Sequence, residues 1–164
     1  MRFSTAITTL ALAAAALAAP VVPNEADQAG PAFWVKNNCD SPVWVTSIAS
    51  VRKPTQQISA HTSWHEPLYR DPRTGTSVQV TTTAGLDGVK PILNAAYTYN
   101  AGDSIYYNLS PVNNWGYAFS GAIVKFFAPD DFQQAIIWDK TPAGQVTKAY
   151  FGETDLILEL CDQE

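Results

Sequence analysis

The sequence predicts an all-β protein of about ten short strands. Apolar and polar residues alternate with a period of two in most segments, and clusters of Gly, Pro, Asn and Asp separate these segments. No window carries the apolar stripe of an amphipathic helix, and Thr, Val and Tyr are frequent. A chain with this pattern is expected to form a β-sandwich or a flattened barrel.

The first two alternating segments lie on either side of a turn. Phe33 and Val35 alternate with polar or outward-facing neighbours, and the same pattern returns over residues 43–46. The sequence NNCDSP separates the two segments. Asn and Asp tolerate a left-handed backbone, and Pro42 has no backbone donor for a ladder. We therefore predict a β-hairpin with Cys39 at its corner.

Further strands follow from the same alternation and from β-branched composition. Residues 58–69 are expected to form one short strand or two fragments. The remaining predicted strand segments are residues 76–83, 93–100, 101–110, 122–127, 134–139 and 154–160.

The N-terminus has the pattern of a secretory signal peptide. Residues 1–18 combine a basic start, a short apolar run and small residues before a cleavage position. Residues 19–31 lack periodicity and are expected to be a flexible segment. Residues 32–164 then form one domain, since the mature chain has 164 − 18 = 146 residues. The protein is therefore predicted to be secreted, with no membrane anchor.

The charge balance excludes some partners. The net charge is -5, and loss of Arg2 with the signal peptide makes the mature chain -6. An acidic chain with scattered Lys and Arg lacks the basic surface that nucleic acid or anionic lipid requires. We expect no nucleic-acid partner, no membrane partner and no cofactor, and we expect a monomer.

The two cysteines, Cys39 and Cys161, are predicted to form a disulfide. Secreted proteins mature in an oxidising compartment, and only one pairing exists. The two positions are 122 apart, so the bond would close nearly the whole domain. The alternative is a pair of free thiols.

The order of motifs resembles that of thaumatin-like proteins. It is even more similar to that of their short fungal relatives, the Blastomyces yeast-phase-specific protein family. The residues that carry the resemblance are Phe33, Val35, Asn37, Cys39 and Trp44, then Ser63 and Trp64, then Tyr97, Tyr107, Asn108, Leu109 and Ser110. The resemblance covers most of residues 32–161. It implies a thaumatin-like flattened β-sandwich of two antiparallel sheets, with one disulfide between the first strand and the C-terminal region.

The departures from the family pattern bear on function. Plant thaumatin-like proteins carry an acidic cleft that is associated with glucan binding or weak glucanase activity. The positions of its Glu and Asp correspond here to Ala96 and Asn108. A methyl and an amide cannot serve as general acid and nucleophile. We therefore expect no catalytic residues and a protein that is not an enzyme.

Other acidic residues leave an alternative open. The carboxylates outside the matched motif lie beside Pro, Gly or strand ends, where acids usually serve turns and solubility. A catalytic pair among them is the rival interpretation, a β-1,3-glucanase or antifungal enzyme. The residues concerned are Asp130 with Asp131, Asp139, Asp103, and Glu66 with Asp71.

His61 and His65 are the weaker candidates for a site. They are four residues apart and flank Trp64, with Glu66 following. Only a turn would bring their rings together, because residues four apart on a strand are separated by about 13 Å. Two surface histidines are the alternative to a metal site, and we assign no metal.

The loop 113–117 is the best candidate for ligand binding. Asn113, Asn114, Trp115 and Tyr117 combine amides with aromatic rings, which suits the hydroxyls and apolar faces of sugars. Tyr106, on the strand before this loop, is also a candidate ligand-binding residue. The alternative is that Trp115 or Tyr117 simply closes one end of the sandwich.

Asn108 also begins the sequon Asn108-Leu109-Ser110. Its strand face is opposite that of Ile105 and Leu109, which makes it accessible to glycosylation. The competing role is a hydrogen-bonding Asn at a strand end. Four of the tryptophans, Trp34, Trp44, Trp64 and Trp138, are expected in the core.

Together these features predict a secreted, non-enzymatic protein that acts at the fungal cell wall or at a host surface. A β-glucan is the candidate ligand, by analogy with the family. Besides the glucanase, the rival is a secreted effector or antigen that binds a host surface protein.

Overall fold

A computed structural model describes residues 30–112 and 115–163, which contain eleven strands. They are β1 (Ala32–Asn37), β2 (Val43–Ile48), β3 (Gln56–Ile58), β4 (Thr62–Pro67), β5 (Thr76–Thr81), β6 (Leu93–Asn100), β7 (Ser104–Pro111), β8 (Ile123–Phe127), β9 (Ile136–Asp139), β10 (Thr147–Phe151) and β11 (Leu156–Asp162). A short 3-10 helix spans Pro129–Gln134. The predicted signal peptide, residues 1–18, and residues 19–29 lie outside the described part of the chain.

The strands form two sheets. Sheet A has the order β4-β1-β11-β8-β9, and sheet B has the order β10-β7-β6-β5-β2-β3. The predicted all-β, two-sheet architecture is confirmed. The expectation of purely antiparallel sheets is wrong at one place, because β1 and β11 pair in parallel. Parallel neighbours need a long connection, and nearly the whole domain lies between these two strands.

The predicted hairpin at the start of the domain is wrong. β1 lies in sheet A and β2 in sheet B, so the turn after β1 carries the chain from one sheet to the other. The buried side chain of Asn37 organises this crossing. Its Nδ2 donates to the carbonyls of Ser41, Ile58 and Ser59 at 3.0, 3.2 and 3.0 Å, and its Oδ1 accepts from the Cys39 amide at 3.2 Å.

Aromatic rings join the two sheets in the core. Phe33 of sheet A stacks on Tyr97 of sheet B with ring centroids 5.6 Å apart, and Phe126 meets Tyr107 edge-on at 5.2 Å. All four rings are buried. Burial of each large side chain contributes roughly 1.5–3 kcal/mol, so this inter-sheet cluster is a major source of stability.

The tryptophans divide between core and surface. Trp138 is fully buried, as predicted, and Trp64 is partly buried against the core. Trp34 and Trp44 are half-buried on the outer faces of sheets A and B, so their predicted place in the core is wrong. The reason is that each alternates with fully buried neighbours, and a strand presents successive side chains to opposite faces.

The disulfide is confirmed. Cys39 and Cys161 are bonded, with their Cα atoms 5.0 Å apart. Cys39 follows β1, and Cys161 sits in β11 at an irregularity in its pairing with β8. Cys161 has a positive φ of 53°, which matches this local break in the ladder.

The edge strand β10 was not predicted from sequence, and its residues show little difference in burial between their two faces. Residues 58–69, predicted as one short strand or two fragments, contain the end of β3 and all of β4, which lie in different sheets. Within the described residues, no helix has the length and apolar character needed to cross a membrane.

Candidate functional site: an uncharged groove on sheet B

An open groove of about 420 Å³ lies on the outer face of sheet B. Its walls come from β5, β6, β7 and β10 and from the turn before β5. A second hollow of about 210 Å³ continues from it, because Asn108 and Thr147 line both. The lining residues of the first hollow are Thr74, Gly75, Thr76, Ser77, Ala96, Tyr97, Thr98, Tyr106, Tyr107, Asn108 and Thr147.

Strand register places one row of small side chains across the groove. Ser77 is opposite Ala96, Ala96 is opposite Asn108, and Asn108 is opposite Thr147. Paired residues point to the same face of a sheet, so these four side chains form a continuous strip. Because the side chain of Ala96 is only a methyl group, it does not fill the groove. The neighbouring Tyr106 is 41% exposed and presents its ring to the groove.

Gly75 allows the turn before β5 to approach β6 closely. A Cβ at this position would lie 2.6 Å from the backbone oxygen of Tyr97. No other residue type fits there without displacing backbone. The glycine therefore determines how the end of the groove closes.

The groove is uncharged. Its lining consists of hydroxyl and amide side chains, Gly, Ala and tyrosines, with no Asp, Glu, Lys, Arg or His. Among the tyrosines only Tyr106 presents its ring to the groove, because the rings of Tyr97 and Tyr107 are buried between the sheets and Tyr107 donates its hydroxyl to the carbonyl of Gln134 at 3.0 Å. The groups of the lining can donate and accept hydrogen bonds and can stack on an apolar surface. They supply no acid and base pair for hydrolysis.

The structure places directly opposite each other the two residues that the resemblance to thaumatin-like proteins matched to acidic-cleft positions. Ala96 of β6 and Asn108 of β7 are register partners inside the groove. The residues present there are a methyl and an amide.

Glu66 is held inside the fold. It is only 6% exposed; Ser47 donates to its Oε1 at 2.6 Å, and Lys53 lies 2.7 Å from its Oε2. A small cavity of about 160 Å³ lies nearby, lined in part by Ser47, Lys53 and Asp71. The buried carboxylate is thus paired with the Lys53 ammonium group and accepts a hydrogen bond from the Ser47 hydroxyl.

Asp71 orders an exposed loop. Its carboxylate accepts hydrogen bonds from the Ser50 amide and hydroxyl and from the amides of Arg73 and Thr74. The Ser50 and Arg73 amides are the main cause that lowers its pKa to about 2.

The other candidate acids lie apart from the groove lining. Asp130 and Asp131 are in the first turn of the 3-10 helix, and Asp139 ends β9. Asp103 accepts a hydrogen bond from the hydroxyl of Ser104.

The two histidines have different partners. Nε2 of His61 lies 3.2 Å from Oδ1 of Asp40, and the ring of His65 stacks on Trp34 at 4.2 Å. Within residues 30–112 and 115–163, no group of three or more His, Cys, Asp or Glu side chains is arranged to hold a metal ion.

The loop at 113–117 contributes a core residue and an exposed ring. Tyr117 packs edge-on against Trp138 at 5.3 Å and Phe119 at 6.4 Å, and burial raises the pKa of Tyr117. Trp115 is 40% exposed and is absent from the groove lining. Asn113 and Asn114 lie outside the described residues.

Of the predicted ligand-binding candidates, the structure therefore brings Tyr106 into the groove, beside the candidate glycosylation site Asn108. Reasoning from sequence missed Ser77, Thr98 and Thr147. In the sequence these residues are uncharged polar side chains at alternate strand positions. That they lie together depends on the register between strands, which the sequence does not reveal.

The fold defines a disulfide-closed β-sandwich protein. The sequence profile described as Blastomyces yeast-phase-specific protein matches residues 19–162, and the chain belongs to this family. No curated protein matches the chain.

Solved structures with a similar fold include the crystal structure of the protein elicitor MoHrip2 from Magnaporthe oryzae. It is 21% identical, with a TM-score of 0.66, and the match covers 81% of this chain and 100% of that chain. At this identity the similarity establishes a shared fold.

Proposed function

We propose that this protein is secreted and acts without catalysis, by binding at the fungal cell wall or at a host surface. The proposed ligand is a neutral polysaccharide, with a β-glucan as the specific candidate. The groove on sheet B is the proposed binding site. Membership of the yeast-phase-specific family supports a fungal setting.

The observation that carries this proposal is the uncharged centre of the groove. Ala96 and Asn108 stand side by side at the positions where the resemblance to thaumatin-like proteins would place carboxylates, and Thr147 lies next to Asn108. A neutral sugar chain offers hydroxyls to such amides and hydroxyls, and an apolar ring face to Tyr106. Binding without cleavage is the function that this chemistry supports.

The thaumatin-like relationship remains part of the proposal. The motif order and the bond between the first strand region and the last strand support it. The two-sheet sandwich is compatible with it as well.

A second candidate is a secreted effector or antigen that contacts a host protein. It is favoured by one observation, the similarity of fold to a protein described as an elicitor. In that case the active surface need not be the groove. The third alternative, a glucanase, requires an acid pair that the groove lining lacks.

Incubation with laminarin, a soluble β-1,3-glucan, tests the proposal. We expect the wild-type protein to be retained on immobilised laminarin and to release no reducing sugar. Tyr106→Ala should weaken retention, while Ile137→Ala, an equally exposed apolar residue on sheet A, should not. Trp115→Ala tests the neighbouring loop in the same assay.

Two results would contradict the proposal. Release of reducing sugar would establish a hydrolase. Absence of retention for laminarin would move the assignment to the effector, which cell-surface binding to host tissue would then support.

A further inference from the structure

We infer that the accessible outer face of sheet B between Trp44 and Tyr106, and not the groove alone, is a platform for a long neutral polysaccharide chain. The inference rests on the proposed function and names its ligand more closely: a polymer is bound along its length, and a short oligosaccharide fills only part of the face. Three observations beyond the groove carry it.

The two outer faces of the sandwich differ in charge. On sheet A, Lys36 pairs with Glu159 at 2.9 Å, and Lys125 pairs with Asp162. On sheet B, the outward positions of the described strands carry hydroxyl, amide, alanine, isoleucine or aromatic side chains and no charged one. The chain has 15 acidic and 10 basic residues, so outward strand positions without any of them are unusual. Thr46, Thr81 and Ser104 are buried among these positions, and the Asp103 carboxylate accepts a hydrogen bond from Ser104 at one edge, so the accessible uncharged area is the rest of the face.

Hydrogen bonds hold the polar side chains of this face in place. Gln79 Nε2 donates to Ser77 Oγ at 3.2 Å, and Ser77 Oγ donates to Asn94 Oδ1 at 2.5 Å. Asn94 Nδ2 in turn donates to Ser110 Oγ at 3.2 Å. These bonds link β5, β6 and β7 across the face. Groups ordered before binding lose less entropy when a ligand arrives, which favours recognition of a regular polymer.

Aromatic rings stand at opposite corners of the same face. Trp44 lies on β2 near one edge, while Tyr106 on β7 and Phe151 on β10 lie toward the other. Phe151 is 75% exposed. From the strand spacing, Trp44 and Tyr106 are separated by about 14 Å across the strands and about 20 Å along them. One short sugar unit cannot reach both rings, whereas a chain that crosses the face can stack on each.

The absence of charge predicts how binding responds to salt. Contacts between hydroxyls, amides and sugar rings are not screened by ions, so affinity should be nearly independent of ionic strength. A charged protein partner on this face would instead bind more weakly as salt is added.

The test compares polymer and short ligand on the same variants. Dissociation constants for laminarin and for laminaritriose are measured by calorimetry at about 0.05 M and about 0.5 M NaCl. We expect Trp44→Ala to weaken laminarin binding at least about fivefold and to leave laminaritriose unchanged. Tyr106→Ala should weaken both. Ile137→Ala on sheet A is the matched control.

A second substitution at Trp44 distinguishes the loss of the aromatic ring from misfolding of the variant. Trp44→Tyr keeps an aromatic ring and should retain most of the affinity, and thermal unfolding of each variant confirms an intact fold. The inference is overturned if Trp44→Ala binds laminarin as the wild type does, or if affinity falls steeply with salt. In the first case the groove alone accounts for binding and the proposed function stands. If neither ligand binds the wild type, the proposed function fails as well.

Discussion

Ala96 and Asn108 are direct cross-strand partners at the centre of the groove on sheet B. Their Cβ atoms are therefore about 4.5–5.5 Å apart. Two carboxylates at such positions could approach the separation of about 5–5.5 Å that retaining glycosidases use. In this chain a methyl and an amide occupy these positions, and this is the basis on which we propose binding for the groove.

Introducing both acids should make stability depend on pH. In the double variant Ala96→Glu/Asn108→Asp, repulsion raises the pKa of one carboxyl in the folded state. The folded state is then favoured below the unfolded pKa of about 4 and loses this advantage as pH rises through the folded pKa. We expect a penalty of up to about 1 kcal/mol at pH 7 relative to pH 4. Urea denaturation at both pH values, with Ala96→Gln as the neutral control, measures it.

Asn37 should be among the most sensitive positions in the chain. Its side chain satisfies three carbonyls and one amide where the chain crosses between the sheets. Asn37→Leu leaves these buried groups unpaired, so we expect a loss of about 2–4 kcal/mol in the free energy of unfolding. Asn38→Ala, at the half-buried next residue, is the control. A loss below about 0.5 kcal/mol for Asn37→Leu would contradict this role.

Removal of the disulfide should destabilise the domain strongly. The bond between Cys39 and Cys161 closes a separation of 122 residues. On the chain-entropy account a loop of about 100 residues is worth about 4.7 kcal/mol, and loss of native disulfides commonly costs about 2–5 kcal/mol. Chemical denaturation of the double Cys→Ser variant measures this loss. Equal midpoints for the variant and the oxidised wild type would refute the prediction.

The Asp71 loop should lose its contribution to stability in acid. The folded pKa of Asp71 is about 2, below its usual value of 3.8, so the ionised form stabilises the folded state. This stabilisation is complete above about pH 4 and disappears as pH falls through the folded pKa. Melting temperatures of the wild type and Asp71→Asn should therefore differ most at neutral pH and converge near pH 2. A constant difference across this range would show that the carboxylate charge has no part in it.

Local features of this fold follow from the sequence, and the pairing of distant strands does not. Alternation identified the buried face at Phe33 and Val35 because burial follows the strand period within a few residues. It did not identify the partner strands. β1 and β2 show the same pattern as a hairpin would, yet they lie in different sheets.

The residues of the candidate site also divide into those that the sequence indicated and those that only the strand pairing brought together. Tyr106 and Asn108 were accessible to sequence reasoning because they share one strand face two residues apart. Ser77 and Thr147 were not, since they reach the groove only through the pairing of β5 with β6 and of β7 with β10. No local pattern records such pairings.

The sequence by itself determined the all-β class, the inward faces of the main strands and the single disulfide, because each depends on residue type and short-range periodicity. Only the tertiary structure decided that β1 joins β11 in parallel and that Ser77, Ala96, Asn108 and Thr147 stand in one row. The physical reason is that strand partners and register are selected by the burial of both sheets against each other. That selection involves the whole chain at once.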